Sequence, residues 1–166
     1  MTSCPVILTV VSAFSVVTIT ALSYILFKKI RSESFDLTTT ELPFNSSQLK
    51  EEWKAVLCLR KDLAMGKGKM AAQAGHAAVS LVERLNSTYP QCVELYNQGG
   101  HAKVALQIHS EAEALELRSK AHELGLITCA IRDAGRTQLE PNSLTVVGVL
   151  GPKSVVDQVT GHLKLL

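Results

Sequence analysis

Residues 65–79 read MGKGKMAAQAGHAAV, and the rest of the chain can be read outward from them. Lys67 and Lys69 alternate with Gly66 and Gly68, just ahead of an alanine-rich run that favours helix. At about 100° per residue, Met70, Ala71, Ala74, Ala77, Ala78, Leu81 and Leu85 share one broad apolar face. Lys69, Gln73, His76 and Ser80 fall in a narrow polar stripe on roughly the opposite side. The amino end of such a helix presents unpaired N–H groups and the positive end of its dipole. Two lysines there suit an anion, and phosphate is the usual one. The stripe also fits the plain solvated face of an amphipathic helix. That account gives the glycines no part, whereas glycine clears side chains from the approach to the backbone.

The chain has 166 residues and a formal net charge of +2. This length allows one ordinary domain plus an appendage. The near-neutral charge excludes a broadly basic nucleic-acid binder, so any such contact needs a local patch. Cys4, Cys58, Cys92 and Cys129 are scattered, with no C-x-x-C pair. That spacing argues against a zinc site and a disulfide framework. Cys58 and Cys129 lie in apolar runs and read as small core residues in a reducing compartment.

The organisation expected is an anchor with a basic flank at 1–31, a flexible acidic and polar linker at 32–52, and a domain at 53–166. Residues 5–27 carry no charge. About 23 residues at 1.5 Å each suffice to cross a hydrocarbon core of about 30 Å. Lys28, Lys29 and Arg31 follow, which places the domain on the cytosolic side. No basic region precedes the apolar run, which disfavours a cleaved secretory signal. A transmembrane signal anchor is therefore expected, with release into the cytosol by processing as the alternative.

Within the domain, 54–60 (KAVLCLR) reads as a strand, and the lysine-glycine helix runs to 85 or 87. A short helix is expected at 91–98 and a second strand at 103–108. Ser110, with Glu113 three residues on, opens a further helix that ends at Gly125. Residues 126–131 and 144–150 give two more strands, and Pro152 opens a last helix. Alternating strands and helices indicate an α/β domain with parallel crossovers. The connection 133–143 is too short for a crossover helix, so the third and fourth strands are antiparallel neighbours or not adjacent. The expected fold is a single domain with a four-stranded mixed sheet covered by helices on both faces.

The segment 133–138, DAGRTQ, leaves the end of the third strand, where loops of α/β sheets gather function. If the first and third strands are parallel, it meets the lysine-glycine loop at one edge of the sheet. Lys67, Lys69, Asp133, Arg136 and Thr137 then come together. A carboxylate beside lysines stays ionised and orients water; a lysine stabilises an oxyanion; an arginine clamps phosphate. Taken alone, D-A-G-R also fits a turn with a surface ion pair. The phosphate loop G-x-x-x-x-G-K-[ST], the G-x-G-x-x-G fingerprint and G-x-S-x-G are all missing from the sequence. His76 has no partner at metal-ligand spacing, and fits either an RNA contact or a surface histidine.

Taken together, these motifs resemble a known family. Over 54–166 the chain is similar to the peptidyl-tRNA hydrolases of archaea and eukaryotes, the type unrelated in fold to the bacterial enzyme. The matching residues are Arg60-x-Asp62-Leu63, the MGKGK at 65–69, Ala71-Ala72-Gln73, His76-Ala77-Ala78, the DAGRTQ at 133–138, Pro141, and the TGHLKL at 160–165. The resemblance implies hydrolysis of the ester joining a peptide to the 3′ ribose of tRNA, without metal or cofactor. It implies Lys69, Asp133 and Thr137 as the catalytic residues. Lys67, Gln73, His76 and Arg136 are implied as tRNA contacts. It further suggests a homodimer and association with the mitochondrial outer membrane through 5–27, with the endoplasmic reticulum as the alternative membrane. Two departures stand out. Gly100-His101-Ala102-Lys103 holds histidine where the family usually has glutamine, and the turn at 149–152 is one residue short. Two other functions remain open on the sequence: a non-catalytic, membrane-tethered interaction module on the same fold, and an RNA binder without turnover.

Overall fold

A computed structural model describes residues 23–24, 41–136 and 139–166. The expected membrane span at 5–27 lies outside the described residues except for Ser23 and Tyr24, as do its basic flank and residues 32–40 of the linker. Among the described residues, no helix is long and apolar enough to cross a membrane. The fold occupies one compact unit, Leu42–Leu166.

Its strands are β1 (Trp53–Arg60), β2 (Lys103–Ile108), β3 (Ile127–Arg132) and β4 (Leu144–Pro152). Its helices are α1 (Lys67–Thr88), α2 (Val93–Gln98), α3 (Glu111–Glu123) and α4 (Lys153–Thr160). The strands lie in the order β2-β1-β4-β3. β1 and β2 are parallel, and β4 runs antiparallel to both β1 and β3. The sheet is therefore mixed, and β1 and β3 point the same way. The 133–143 connection joins antiparallel neighbours, the first of the two arrangements its length allows.

β4 is buried along its whole length, as a central strand covered on both faces must be. α1 packs over β1, β3 and β4, while α3 and α4 pack on each other and on the sheet. Gly148 marks the face under α1: a Cβ there would lie 2.7 Å from Cys129 Sγ and 2.9 Å from Leu81 Cδ1. The helix comes this close only because the strand has no side chain at that point. Ser110 caps α3, its hydroxyl accepting from the Glu113 N–H at 3.0 Å. The Glu113 carboxylate reaches back, though to the His109 N–H at 2.7 Å, one residue before the cap. Cys58, Cys92 and Cys129 are free and buried. Burial holds the Cys58 thiol up at about 12 and that of Cys92 at about 11, so these are inert packing residues.

The helical periodicity needs one correction. The buried residues of α1 are Gln73, Ala77, Leu81 and Leu85, whereas Ala71 is exposed. Gln73 thus belongs to the core side of the helix, and the polar stripe flanks the apolar face instead of opposing it. A second difference lies at the domain's start. The linker was expected to reach residue 52 unpacked, yet packing begins at Leu42. Phe44 is buried edge-on against Trp53 at 5.4 Å and against Tyr89 at 5.9 Å. Asn45 Oδ1 accepts from the N–H groups of Ser47 and Gln48, opening a 3-10 turn over Gln48–Lys50. Glu51 accepts from the Ser154 hydroxyl at 2.6 Å, tying the segment to the start of α4. Composition concealed this because one aromatic ring among polar residues carries the docking. Phe44→Ala should lower unfolding stability by about 3–5 kcal/mol, read as a lower urea midpoint at unchanged slope; a shift under 1 kcal/mol would mean the segment only rests on the surface.

Candidate active site

The parallel alignment of β1 and β3 brings their following loops to one edge of the sheet. The Lys69 side chain, in the first turn of α1, donates to Asp133 Oδ1 at 2.8 Å. Both side chains are largely withdrawn from water, at 11% and 8% relative exposure. Gln73, one helical turn after Lys69, donates its Nε2–H to the same oxygen at 3.3 Å. The other oxygen, Oδ2, accepts from the Gly135 N–H at 3.1 Å. Gly135 can turn back this way because its φ is +73°, in the left-handed region. A side chain there would also run into Pro141 Cγ at 2.5 Å. The sequence D-A-G and the distant proline therefore build one tight loop around the carboxylate.

These donors act on the acidity of Asp133. The hydrogen bond from Lys69 is the largest influence and holds the carboxyl below its ordinary value, against the opposing effect of desolvation. The Gly135 N–H adds to the depression. A carboxylate held in this way is ionised at neutral pH and is a weak base. It is suited to orienting a water or a hydroxyl and holding an ammonium close, and poorly suited to removing a proton outright.

Gln73 is itself fixed from behind. The Thr145 hydroxyl lies 2.6 Å from Gln73 Oε1 and 3.0 Å from the Ile131 carbonyl. Accepting from Thr145 turns the Gln73 amide so that its N–H end faces Asp133. Sequence reasoning did not find Thr145; the available signal was a single hydroxyl inside the fully buried run LTVVGVL. It also missed a charged chain beside the cleft. Arg60 is buried and pairs with Asp62, reaches Glu111 at 3.4 Å and donates to the Leu144 carbonyl at 3.2 Å. Glu111 also binds Arg132 at 2.9 Å. This chain ties the ends of β1 and β3 and the start of β4 to the first turn of α3. The matching Arg60-x-Asp62 motif is thus a clamp on the scaffold, since Arg60 grips the residue two along.

Lys69, Gln73, His76, Asp133 and Arg136 line one open cleft of about 720 Å³. Lys67 is exposed at the start of α1 and is not among the cleft's lining residues. Thr137 lies outside the described residues. A Cβ at Gly68 would meet open space, so packing does not demand glycine there. Among the described residues, no group of three or more His, Cys, Asp and Glu gathers as metal ligands do. The departing sequence at 100–103 sits far along the sheet. There His101 contacts Asn97 at 2.8 Å and the Tyr96 ring at 5.2 Å. At the other departure β4 runs straight into α4, so the shortened turn leaves no loop between them.

The sequence model of one family, described as peptidyl-tRNA hydrolase PTH2, matches residues 53–166. The chain belongs to this family. It is 48% identical over 120 residues to a probable peptidyl-tRNA hydrolase 2 of Drosophila melanogaster, covering 71% of this chain and 64% of that protein. It is 45% identical over 129 residues to the mitochondrial peptidyl-tRNA hydrolase 2 of Mus musculus, covering 76% of this chain and 71% of that protein. The peptidyl-tRNA hydrolase of Methanocaldococcus jannaschii is 44% identical over 115 residues, 68% of this chain and 99% of that protein. The chain therefore spans somewhat under two thirds of the fly relative and nearly all of the archaeal one. The archaeal match means that the PTH2 domain is, by itself, as long as a complete protein that bears the family name.

Two outcomes are expected of the PTH2 site. Because the Asp133 carboxyl is depressed, the ion pair contributes stability at neutral pH and loses it only as pH falls through the folded-state value. The Asp133 carboxyl carbon, followed by NMR, should therefore titrate below the ordinary 3.8. A midpoint above that figure would contradict the Lys69 contact. Thr145→Val keeps the shape but removes the hydroxyl that orients Gln73. It should destabilise the fold by about 1–3 kcal/mol and shift the Asp133 midpoint upward.

Proposed function

We propose that this chain hydrolyses the ester between a peptide and the 3′ ribose of tRNA, releasing the tRNA for reuse. The observation that carries the proposal is the water-shielded Lys69–Asp133 pair, 2.8 Å apart at the head of an open cleft, in a chain of this family. Lys69, Asp133 and Thr137 are the proposed catalytic residues. Asp133, ionised and held on both oxygens, orients the attacking water together with the Thr137 hydroxyl. Lys69 stabilises the negative charge that develops on the ester carbonyl as the tetrahedral intermediate forms. An ester is reactive enough that positioning and charge stabilisation suffice.

Lys67, Gln73, His76 and Arg136 are proposed as the residues that meet tRNA. Gln73 is buried against Asp133, so its part is to hold the carboxylate beside the terminal ribose. His76 and Arg136 line the cleft, and Lys67 stands at the exposed, positive end of α1, where a phosphate fits. The uncharged run at 5–27 with its basic flank supports a membrane tether facing the cytosol. The mouse, cattle and human relatives are named as mitochondrial, which supports the mitochondrial outer surface as its site.

Hydrolysis of an N-blocked aminoacyl-tRNA by the full chain tests the reading. Asp133→Asn and Lys69→Ala should each lower kcat by about 100-fold or more while tRNA is still bound. Added salt should weaken tRNA binding, because phosphate contacts dominate its affinity. Binding without turnover in the wild type would instead leave an RNA binder. Neither binding nor turnover, in a folded protein, would leave a tethered interaction module.

A further inference from the structure

The two outer edges of the sheet are treated differently. The β2 edge is covered by the last residues of the chain: the Gln107 N–H donates to the Lys164 carbonyl at 2.9 Å, and the Leu166 N–H to the Ala105 carbonyl at 3.1 Å. β3 forms the other edge, and among the described residues no strand pairs with its outer side. The hydrogen-bond phase tells which of its groups face outward. Lys153 N–H donates to the Glu52 carbonyl across the β1–β4 ladder, so the odd-numbered residues of β4 face β1. Val146, Gly148 and Leu150 then face β3, opposite Ile131, Cys129 and Ile127. Thr128 and Ala130, lying between these, turn their N–H and C=O outward. Beyond the register shift, Asp133 bonds inward to Ser143 and Asn142, which leaves Arg132 outward as well. An edge with three such residues at alternate positions is a template for another extended chain.

Hollows lie against both halves of this strand. The catalytic cleft is lined on this side by Ala130, Ile131 and Arg132. A second, separate hollow of about 310 Å³ is lined by Gly125, Ile127 and Thr128 together with Arg84 of α1 and His122 of α3. β3 thus lines both hollows, and the first of them also holds Asp133. We propose that this edge is the peptide subsite, on which the peptide moiety of peptidyl-tRNA lies as an added strand. The inference rests on the hydrolase reading above and identifies how that site holds the acyl side of its substrate.

The polarity of the added strand follows. The ester is at the carboxyl end of the peptide and must sit at Asp133, which follows the carboxyl end of β3. The peptide therefore runs parallel to β3, its amino end toward Gly125. Main-chain pairing reads no side chains, which suits a substrate whose peptide can have any sequence. At about 3.3 Å per residue, an edge of this length engages about five or six peptide residues.

The test compares kcat/KM for one tRNA carrying a single N-acetylated residue, three residues or six. Turnover by the full chain should rise about tenfold or more with length, the worth of one net hydrogen bond or better. Ala130→Pro removes an outward N–H without breaking the β4 ladder, an exchange that edge strands tolerate. It should bring the six-to-one ratio toward unity, and Ala130→Ser should retain the ratio. N-methylation scanned along the hexapeptide should slow the wild type at every second residue only, a readout that needs no variant to fold. Turnover that is independent of length, or methyl effects without alternation, would overturn the proposal while leaving the hydrolase reading in place. Loss of affinity for uncharged tRNA in Ala130→Pro would overturn it too, by giving the edge to the nucleic acid. No turnover of any peptidyl-tRNA would fail the hydrolase reading itself.

Discussion

Burying a carboxylate is costly unless charge and hydrogen bonds meet it, and the architecture around Asp133 follows from that requirement. Its partners come from widely separated places. Lys69 and Gln73 are consecutive turns of α1, Gly135 is in the same loop, and Thr145 stands behind Gln73 on the central strand. Each is useful only if α1 crosses the sheet at one height and β3 ends beside it. Gly148 allows the required approach of helix to sheet. The Arg60–Glu111–Arg132 chain then fixes the strand ends from the other side. The geometry of a single carboxylate is thus set by most of the domain.

Much of this could be read from the chain alone, and the reasons differ by element. β2 was legible to the residue, because KVALQI is bounded by glycines on one side and a serine cap on the other. The crossovers favoured a common direction for β1 and β3, and the meeting of Lys69 and Asp133 was conditional on it. Strand order did not follow, because β4 inserts between β1 and β3 through pairings that no local pattern encodes. The burial of Gln73 was hidden for a related reason. Periodicity gives the angle between residues on α1 but not which flank of the apolar face turns toward the site. The role of Thr145 was hidden because its hydroxyl serves a residue 72 positions away.

Residues 42–52 show a similar limit at the other end of the domain. Polar composition marks a segment that cannot build its own core, but says nothing about whether it lies on another. Phe44 inserts between Trp53 and Tyr89, and Glu51 binds the first turn of α4. Any tether to a membrane must therefore end before Leu42. That shortens the reach of the domain relative to a linker free up to residue 52.

The central position of β4 bears on how the chain folds. β1 and β2 can pair early, through a crossover of ordinary length, but β1 finds its other neighbour only when 144–152 arrives. Until then β1 and β3 each lack the strand between them, and the apolar residues facing it have nothing to pack on. Contacts of such long sequence separation are reached slowly, after much chain entropy has been lost. The step that completes the sheet is also the one that sets Thr145 behind Gln73, so the setting of Asp133 and the native core form in the same event.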